Sequence, residues 1–180
     1  MGLVVPAATG SSPYETILGD AFASLPAHVR RAHLAPLRAE GAMDVDHGRG
    51  LLTQPIIWLM HLPGPGPRQS VRLDVAEDGS ELVWTRQIGS SILRTRQRAS
   101  GSRLVETLGR GSISFDLSVD DGALLYRHSA MRVAGVRIPS MLSPHVAAAV
   151  SGTATGWHVE VTITWRDRMV CRYAGDMQAS

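Results

Sequence analysis

Residues 103–133, RLVETLGRGSISFDLSVDDGALLYRHSAMRV, contain three segments of alternating apolar and polar residues, separated only by short turns. The middle segment alternates strictly from Ile113 to Val119, which places every second side chain on one face of a strand. Gly109 and Gly122 mark the turns on either side. Strands joined by links this short pair antiparallel, because a parallel pair needs a crossover of about a dozen residues. The stretch therefore predicts three consecutive strands of an antiparallel meander.

The same alternation extends from Ser70 to about residue 175. Strands are predicted at 71–75, 82–88, 92–98, 104–108, 113–119, 124–133, 146–153, 157–165 and 168–174. An open sheet of this many strands would leave exposed edges. We therefore expect a mainly β (α+β) fold, in which an antiparallel meander of about nine or ten strands curls into a barrel or half-barrel. A barrel of this size can hold one small ligand.

The chain before this sheet is predicted to be mainly helical, with helices packed on the barrel. Ser12, Pro13 and Glu15 form a capping box with proline at the first helical position, a pattern that begins a helix. An apolar stripe follows at helical spacing, formed by Tyr14, Ile17, Leu18, Ala21, Phe22 and Leu25. Further elements are predicted as a helix at 27–34, a short strand at 43–47 and an apolar helix at 55–62. The charged residues of the second helix, His28, Arg30, Arg31 and His33, are expected on a solvated face.

Length and composition indicate one globular domain. The chain has 180 residues, of which 44% are hydrophobic and 19% charged, enough to bury a core without disulfides or metals. We expect a single domain at 1–180, with a flexible N-terminus at 1–12, a helical part at 13–62 and a β-barrel part at 70–175. The longest apolar run, at 56–60, is far shorter than the roughly 20 residues that span a bilayer. Because the first residues also lack the basic region of a signal peptide, we expect a cytoplasmic protein with no membrane partner.

The charge pattern argues against several classes of function. All 18 basic residues are arginine, which is typical of a GC-rich genome, and the net charge is only +2. The arginines are spread among 16 acidic residues and form no basic run, so a nucleic-acid partner is not expected. Cys171 is the single cysteine, which excludes an internal disulfide and every Cys-pair metal motif.

Standard catalytic motifs are missing from the sequence. It contains no Walker-type phosphate loop, no GxSxG nucleophile elbow and no HExxH zinc motif. The seven histidines include no helical pair with a carboxylate between them. We therefore expect neither a metal nor a cofactor, and any chemistry would be proton transfer, isomerisation or ring closure in a shaped cavity.

Alternation predicts which polar side chains point into the barrel. When each strand is oriented by its most apolar face, four polar candidates fall inside: Arg86, Glu106, Tyr126 and His128. The same rule places Ala130 inside. A buried charge is costly unless it is paired, so we expect an ion pair between Arg86 and Glu106. Tyr126 and His128 are expected to complete its hydrogen bonds. As catalytic residues, Glu106 or His128 would move protons while Arg86 stabilises negative charge.

Each of these residues also has a purely structural interpretation. Ion-pair networks perturb titration without any catalysis, so Arg86 and Glu106 are also typical of a structural salt bridge. A lone histidine such as His128 is often a satisfied or half-exposed residue. Arg94, Arg96 and Arg98 form a stripe on one strand face. That stripe is expected to be solvated, or alternatively to contact an anion or an acidic partner.

Four aromatic side chains are the candidate substrate-binding residues: Trp84, Phe115, Trp157 and Trp165. The last two begin and end the inner face of the predicted strand 157–165. Aromatic side chains line many small-molecule pockets, although tryptophans at such positions also fill cores.

Short motifs with a recognisable pattern are spread over the chain from about Pro13. They are the Tyr14-Glu15 helix with Phe22, Leu25 and Pro26, the Gly48-Arg49-Gly50 step, Trp84-Thr85-Arg86, Val105-Glu106, Asp121-Gly122 before Leu124, Ile138-Pro139 to Pro144, and Tyr173-Ala174-Gly175. Together they resemble a bacterial family of domains of unknown function, whose members are often fused to saccharopine-dehydrogenase-like reductases. This sequence departs from the pattern in showing no reductase domain and in carrying Trp165-Arg166-Asp167-Arg168 at an expected apolar hairpin. The resemblance implies no established activity and no catalytic residues.

Two classes of function remain open. The first is a cofactor-independent cyclase or isomerase of natural-product biosynthesis that acts on an apolar, polyketide-like substrate. The second is a non-catalytic carrier of a hydrophobic ligand, or an accessory domain for a separate reductase; a homodimer is compatible with either class. An enzyme requires Glu106 and His128 to face one cavity that solvent can reach, whereas a carrier could have an entirely apolar one.

Overall fold

The computed structural model describes residues 11–50 and 53–180. The helices in these ranges are α1 (Pro13–Leu18), α2 (Asp20–Ala23), α3 (Ala27–Ala32) and α4 (Thr53–Leu59). The strands are β1 (Leu37–His47), β2 (Gly66–Asp78), β3 (Glu81–Ile88), β4 (Ser91–Ser100), β5 (Arg103–Leu108), β6 (Gly111–Asp120), β7 (Ala123–Val133), β8 (Val136–Ile138), β9 (His145–Gly152), β10 (Trp157–Trp165) and β11 (Arg168–Ala179). The predicted flexible segment 1–12 lies outside the described residues up to residue 10, whereas Ser12 is buried.

Ten of these strands close into an antiparallel barrel. β1 to β7 pair in chain order, β7 then pairs with β9, and β11 returns to pair with β1. β8 stays outside the ring and forms a short hairpin on the end of β7. The predicted mainly β fold with N-terminal helices packed on it is confirmed, and the sheet is a closed barrel. Closure satisfies the backbone groups that the edges of an open sheet would expose.

β1 departs most from the prediction. It begins at Leu37 instead of Met43, so part of the segment predicted as helical belongs to the barrel. Its first half contains the segment Ala39-Glu40-Gly41-Ala42, four successive residues that are poor strand formers. The small residues are needed for packing, because a Cβ at Gly41 would collide with the backbone of Asp176 on β11. Burial alternates along β1 all the same, from Leu37 to Val45.

The N-terminal helices cover one end of the barrel. Ser12 and Glu15 form the predicted capping box at the start of α1. The helix breaks at Gly19, whose φ of +52° suits glycine, so the predicted stripe is divided between α1 and α2 and Ala21 is exposed. The buried apolar residues of this layer are Tyr14, Phe22, Leu25, Val29 and Ala32. No helix in the described part of the chain has both the length and the apolarity to cross a membrane.

The two ends of the barrel are different in kind. Helices α1 to α3 pack at the end where β4 meets β5 and β6 meets β7, and a Cβ at Gly122 or Gly152 would meet Pro26 there. The opposite end carries α4 and the turns at 89–90, 109–110, 134–135 and 166–167. We call this opposite end the mouth.

A β-bulge in β7 changes the predicted inner face. Two successive residues of β6 pair with His128 and Ala130, which leaves Ser129 as an extra residue. Alternation therefore shifts by one position, and Met131 takes the inner face. The prediction that Ala130 points inside is wrong, because a bulge is set by the pairing of two strands and leaves no mark on local alternation.

Candidate functional site

A cavity of about 400 Å³ occupies the interior of the barrel. Small-molecule pockets have volumes of about 300–1,000 Å³. Most of the lining side chains are apolar and come from the inner faces of the strands. Three of the predicted substrate-binding aromatics, Trp84, Phe115 and Trp157, are among them. The structure therefore brings these three side chains to one space.

The fourth aromatic, Trp165, lies elsewhere. The inner face of β10 lines the cavity from Trp157 to Ile163. The register with β11 then shifts between Ile163 and Thr164. Beyond this shift the Trp165 ring is half-buried, and the Arg166 guanidinium lies 4.6 Å from its centroid. Trp165 is thus placed at the mouth, outside the described lining.

Arg86 and Glu106 form an ion pair within this apolar cavity. Arg86 Nη1 donates to Glu106 Oε1 at 3.0 Å, and Thr95 Oγ1 donates to the same oxygen at 2.6 Å. The guanidinium carbon also lies 4.8 Å from the centre of the Trp84 ring, a cation–π contact. The two charged side chains are 21% and 19% accessible, and because both line the cavity, that surface faces it. The predicted pairing is present, with Thr95 as its third member.

The ion pair keeps free atoms for a ligand. Burial lowers the pKa of Arg86, but the charge and hydrogen bond of Glu106 outweigh this effect and hold the pKa above its ordinary value. The guanidinium is therefore a permanent cation. Hydrogen bonds among the described residues use Nη1 of Arg86 and Oε1 of Glu106. Arg86 Nη2 and Glu106 Oε2 take part in none of these bonds, and both side chains are partly accessible, so a ligand can meet a charged donor and a carboxylate oxygen.

A chain of hydroxyl groups lies beside the ion pair. Tyr14 of α1 donates to Gln97 Oε1 at 2.6 Å, and Tyr126 of β7 donates to the Tyr14 oxygen at 3.1 Å. Burial raises the pKa of Tyr126 well above its ordinary value and raises the pKa of Tyr14 as well. Both hydroxyls therefore keep their protons. The prediction that Tyr126 completes the hydrogen bonds of the ion pair is wrong, because α1 brings Tyr14 within its reach.

Two histidines line the cavity among the described residues, the exposed His61 and the buried His33. His33 is only 2% exposed, and its ring centroid lies 4.6 Å from that of Tyr14. Nδ1 lies 2.7 Å from the Val29 carbonyl oxygen, so Nδ1 carries the proton and Nε2 keeps a lone pair. Burial lowers the pKa of His33 to about 4. The expected solvated face is correct for the exposed His28 but wrong for His33, which lies four residues after the buried Val29.

His33 is expected to make the stability of the fold depend on pH. The pKa of a histidine is about 6.5 in an unfolded chain, whereas that of folded His33 is about 4. Between these values the unfolded chain binds the additional proton, so this stabilisation is complete above pH ~6.5 and is lost as the pH falls toward ~4. We expect a loss of about 2 kcal/mol between pH ~7 and pH ~5, measured by urea unfolding at both values.

Two variants separate His33 from the other titrating groups. His33→Gln should lose about 2 kcal/mol less than the wild type over the same pH interval. His28→Gln, exposed at the start of the same helix, should behave like the wild type. Identical pH dependence in all three proteins would show that His33 is not the responsible group.

His128 does not join the ion pair in the described contacts. Its ring centroid lies 5.0 Å from that of His145, and Nε2 lies 3.5 Å from the Ser143 hydroxyl. Within the described residues, Nδ1 is buried without a hydrogen-bond partner. Burial lowers the pKa of His128, and the neighbouring His145 lowers it further. The prediction that His128 completes the ion pair is wrong, because pairing of β7 with β9 ends at Arg127 and His128 packs against the segment entering β9.

The cavity lining also contains polar residues that the sequence analysis did not select, among them Thr95, Gln97 and Tyr173. Thr95 and Gln97 are buried on β4, where they alternate with the exposed Arg94 and Arg96. The arginine stripe could have identified Thr95 and Gln97, because the face of β4 opposite the arginines must point into the barrel. Tyr173 lies on β11, and burial raises its pKa to about 12. The stripe is on the outer wall, where Arg96 bridges to acidic neighbours at 2.7 and 3.2 Å.

The assembled groups are those of proton transfer. The cavity presents a permanent cation, a carboxylate, protonated tyrosine hydroxyls and a neutral imidazole between apolar walls. Such groups can take a proton from a bound molecule and stabilise a negatively charged oxygen. Across residues 11–50 and 53–180, no three His, Cys, Asp or Glu side chains converge as a metal site requires.

These features define a class of protein, a closed antiparallel β-barrel with an internal cavity. The model of a family described as a domain of unknown function, DUF4166, matches residues 25–177. The chain belongs to this family, which confirms the resemblance to a family of domains of unknown function. The matched range contains Arg86 and Glu106, whereas α1 with Tyr14 precedes it. No curated protein matches the chain.

Proposed function

We propose that this protein binds a small, largely apolar, polyketide-like molecule inside its barrel and acts on it as a cofactor-independent isomerase or cyclase of natural-product biosynthesis. The observation that carries the proposal is the cluster of Arg86, Glu106 and Thr95, which faces an otherwise apolar cavity. A charged pair is costly to keep among apolar side chains. Its accessible atoms can orient the polar group of an apolar ligand, as in many small-molecule sites.

Glu106 is the residue that moves the proton in this proposal. Its Oε2 takes a proton from a carbon next to a ligand carbonyl, and Arg86 stabilises the carbonyl oxygen as that oxygen becomes negative. In an isomerisation, Glu106 returns the proton to a different carbon of the enolate. In a ring closure, the enolate carbon attacks a second carbonyl of the same molecule, and the new alkoxide takes the proton back from Glu106. Either route regenerates the carboxylate without a cofactor.

The remaining polar side chains hold the substrate in place. Tyr126 lines the cavity and donates its proton to Tyr14, so its oxygen can accept a hydrogen bond from a hydroxyl group of the ligand. His33 offers an unprotonated Nε2 as an acceptor. Trp84 and Phe115 supply the apolar walls. The proposal assigns no step to His128, which packs against His145.

The second candidate function is binding without chemistry. The predominance of apolar side chains in the lining favours a carrier of a hydrophobic ligand. An accessory role beside a separate reductase rests on the family resemblance alone. A carrier would hold a ligand in the cavity, whereas an accessory domain requires none. In both cases Glu106→Gln would alter no conversion of a small molecule.

Filling the cavity is expected to abolish ligand binding. Ala148 points into the cavity from β9, whereas its neighbour Ala147 points outward and is exposed. Ala148→Phe places a ring in the ligand's volume, and we expect affinity for an apolar fluorescent probe to fall about tenfold or more. Ala147→Phe should bind like the wild type. Fluorescence titration measures the affinity, and native mass spectrometry identifies any molecule that co-purifies with the wild type.

Two results would overturn the pocket function. The first is a wild-type protein that carries no co-purified molecule and binds no apolar probe. The second is equal probe binding by Ala148→Phe and Ala147→Phe, which would place the probe outside the barrel. Thermal unfolding is the control that both variants are folded. This control is needed because overpacking typically costs about 1–3 kcal/mol of stability.

A further inference from the structure

The mouth of the barrel exposes apolar side chains. Trp58 is 78% exposed and Met141 is 70% exposed, values that are unusual for such large apolar residues. The large apolar residues that are exposed in the described part of the chain are Trp58, Leu59, Ile92, Val133, Val136, Met141, Leu142 and Met169. Each lies on α4, on a strand within two residues of a turn of the mouth, or on the segment after β8. They form one apolar rim, which is the name we use for this set.

The rim is continuous with the cavity. Leu59 and Val133 are exposed to solvent and also line the cavity. Residues 108–112 of the neighbouring turn line it as well. The cavity therefore reaches the surface between rim residues, whereas helices α1 to α3 cover the opposite end.

Arginines surround the same end of the barrel. The exposed arginines of the mouth are Arg49, Arg68, Arg110, Arg132, Arg137, Arg166 and Arg168. The carboxylates nearest to them in the fold belong to Asp44, Asp46 and Asp167. Within residues 11–50 and 53–180, none of these seven arginines forms a salt bridge. The mouth therefore has an excess of uncompensated positive charge.

Elsewhere in the described part of the chain most arginines are paired with carboxylates, and the exceptions are Arg30, Arg31, Arg94 and Arg127. On the outer wall and near the helix-covered end, arginines pair with carboxylates, as Arg38 does with Asp74 and Arg103 with Asp116. The turns at that end, at 77–81 and 120–121, are acidic. The net charge of only +2 thus conceals a separation of charge along the barrel axis.

We infer that the mouth docks on the surface of an anionic phospholipid membrane. Unpaired arginines attract the negatively charged headgroups, and exposed aromatic and aliphatic side chains insert among the acyl chains below them. Trp58 is a residue type that favours this boundary. Binding of a soluble anion would not require the apolar rim. The apolar rim and the unpaired arginines surround the same opening, and this combination fits a lipid surface.

Docking gives the cavity access to the bilayer. This step rests on the proposed function, in which the protein binds an apolar ligand that is poorly soluble in water. With the mouth on the membrane, the ligand passes from the lipid into the barrel between rim residues without crossing water. The attachment proposed here is peripheral and reversible, and it differs from the expectation of no membrane partner.

Co-sedimentation with lipid vesicles tests the inference on the full chain. We expect the wild type to bind vesicles of phosphatidylcholine mixed with phosphatidylglycerol, to bind pure phosphatidylcholine weakly, and to dissociate as sodium chloride is added. R137E/R168E should lower binding about tenfold or more. Met141→Ser combined with Leu142→Ser should lower it by a similar factor. A matched control, R38E/R103E, changes the net charge equally at the helix-covered end and should bind like the wild type.

Several outcomes would overturn the inference. They are no binding of the wild type to anionic vesicles, equal loss in the two arginine variants, and no loss in the Met141 and Leu142 variant. Displacement by inorganic phosphate beyond that caused by sodium chloride at equal ionic strength would assign the arginines to a soluble anion instead. Ala148→Phe should bind vesicles like the wild type, so failure of the pocket and failure of the docking surface are measured separately.

Discussion

Tyr14→Ala is expected to destabilise the protein by about 3–5 kcal/mol. The side chain is completely buried, and its ring packs against those of Phe22, His33 and Tyr126. Truncation leaves a cavity between the helices and the barrel, and it removes the hydroxyl that bonds Gln97 and Tyr126. Urea unfolding followed by circular dichroism measures the loss.

Two comparison variants show what the loss means. Tyr14→Phe keeps the ring and should cost about 1–2 kcal/mol, because it leaves buried polar groups without their partner. Trp58→Ala removes a large aromatic side chain that is exposed, and should change stability by about 0.5 kcal/mol or less. If Tyr14→Ala were as mild as Trp58→Ala, the helices would contribute little to the barrel core.

Breaking the ion pair in the cavity is expected to cost more than removing it. Arg86→Met or Glu106→Leu alone leaves one charge without its partner, and each should destabilise the fold by about 2–3 kcal/mol. The double variant should lose only about 1 kcal/mol, because no unpaired charge remains. The coupling between the sites should therefore be about 3–5 kcal/mol, measured by a double-mutant cycle in urea.

The exposed pair of Arg103 and Asp116 is the matched control, since its charged atoms are also in contact, at 2.9 Å. Its cycle should give a coupling below about 1 kcal/mol, because water screens a surface pair. Equal coupling in the two cycles would show that the cavity pair is screened like a surface pair.

Activity then separates a structural pair from a catalytic one. Glu106→Gln should lower turnover of the co-purified substrate about 10²–10⁴-fold, because an amide cannot accept the proton. Ligand affinity should change much less. Unchanged turnover in Glu106→Gln would leave the ion pair a structural feature of a carrier.

The barrel strands could be predicted because their physical signal is local. Side chains alternate between core and solvent, so β10 was predicted at 157–165 and is observed as Trp157–Trp165. The strand predicted at 43–47 is the second half of β1, whereas the first half escaped prediction because close contact with β11 selects small residues that are poor strand formers. The bulge at Ser129 escaped because it depends on how β6 and β7 pair.

The candidate site could be predicted only in part. Arg86 and Glu106 stand out because each interrupts an apolar strand face, and a buried charge requires a partner. Alternation along β4 could also have selected Thr95, since it faces away from the arginine stripe. Tyr14 and His33 could not be selected in this way, because they enter the site from helices that fold over the end of the barrel. The bond from Tyr14 to Gln97 spans 83 positions of sequence.

Periodicity, turn residues and the cost of an unpaired charge are properties of short segments, and they were sufficient for the strands, the meander and the Arg86–Glu106 pair. Closure of the barrel depends on β11 pairing with β1, which joins opposite ends of the chain. Exclusion of His128 from the cavity, inclusion of His33 and the gathering of arginines at the mouth depend on the same long-range packing. Contacts of this kind leave no local pattern, because the partner of each residue is set by the topology of the whole sheet.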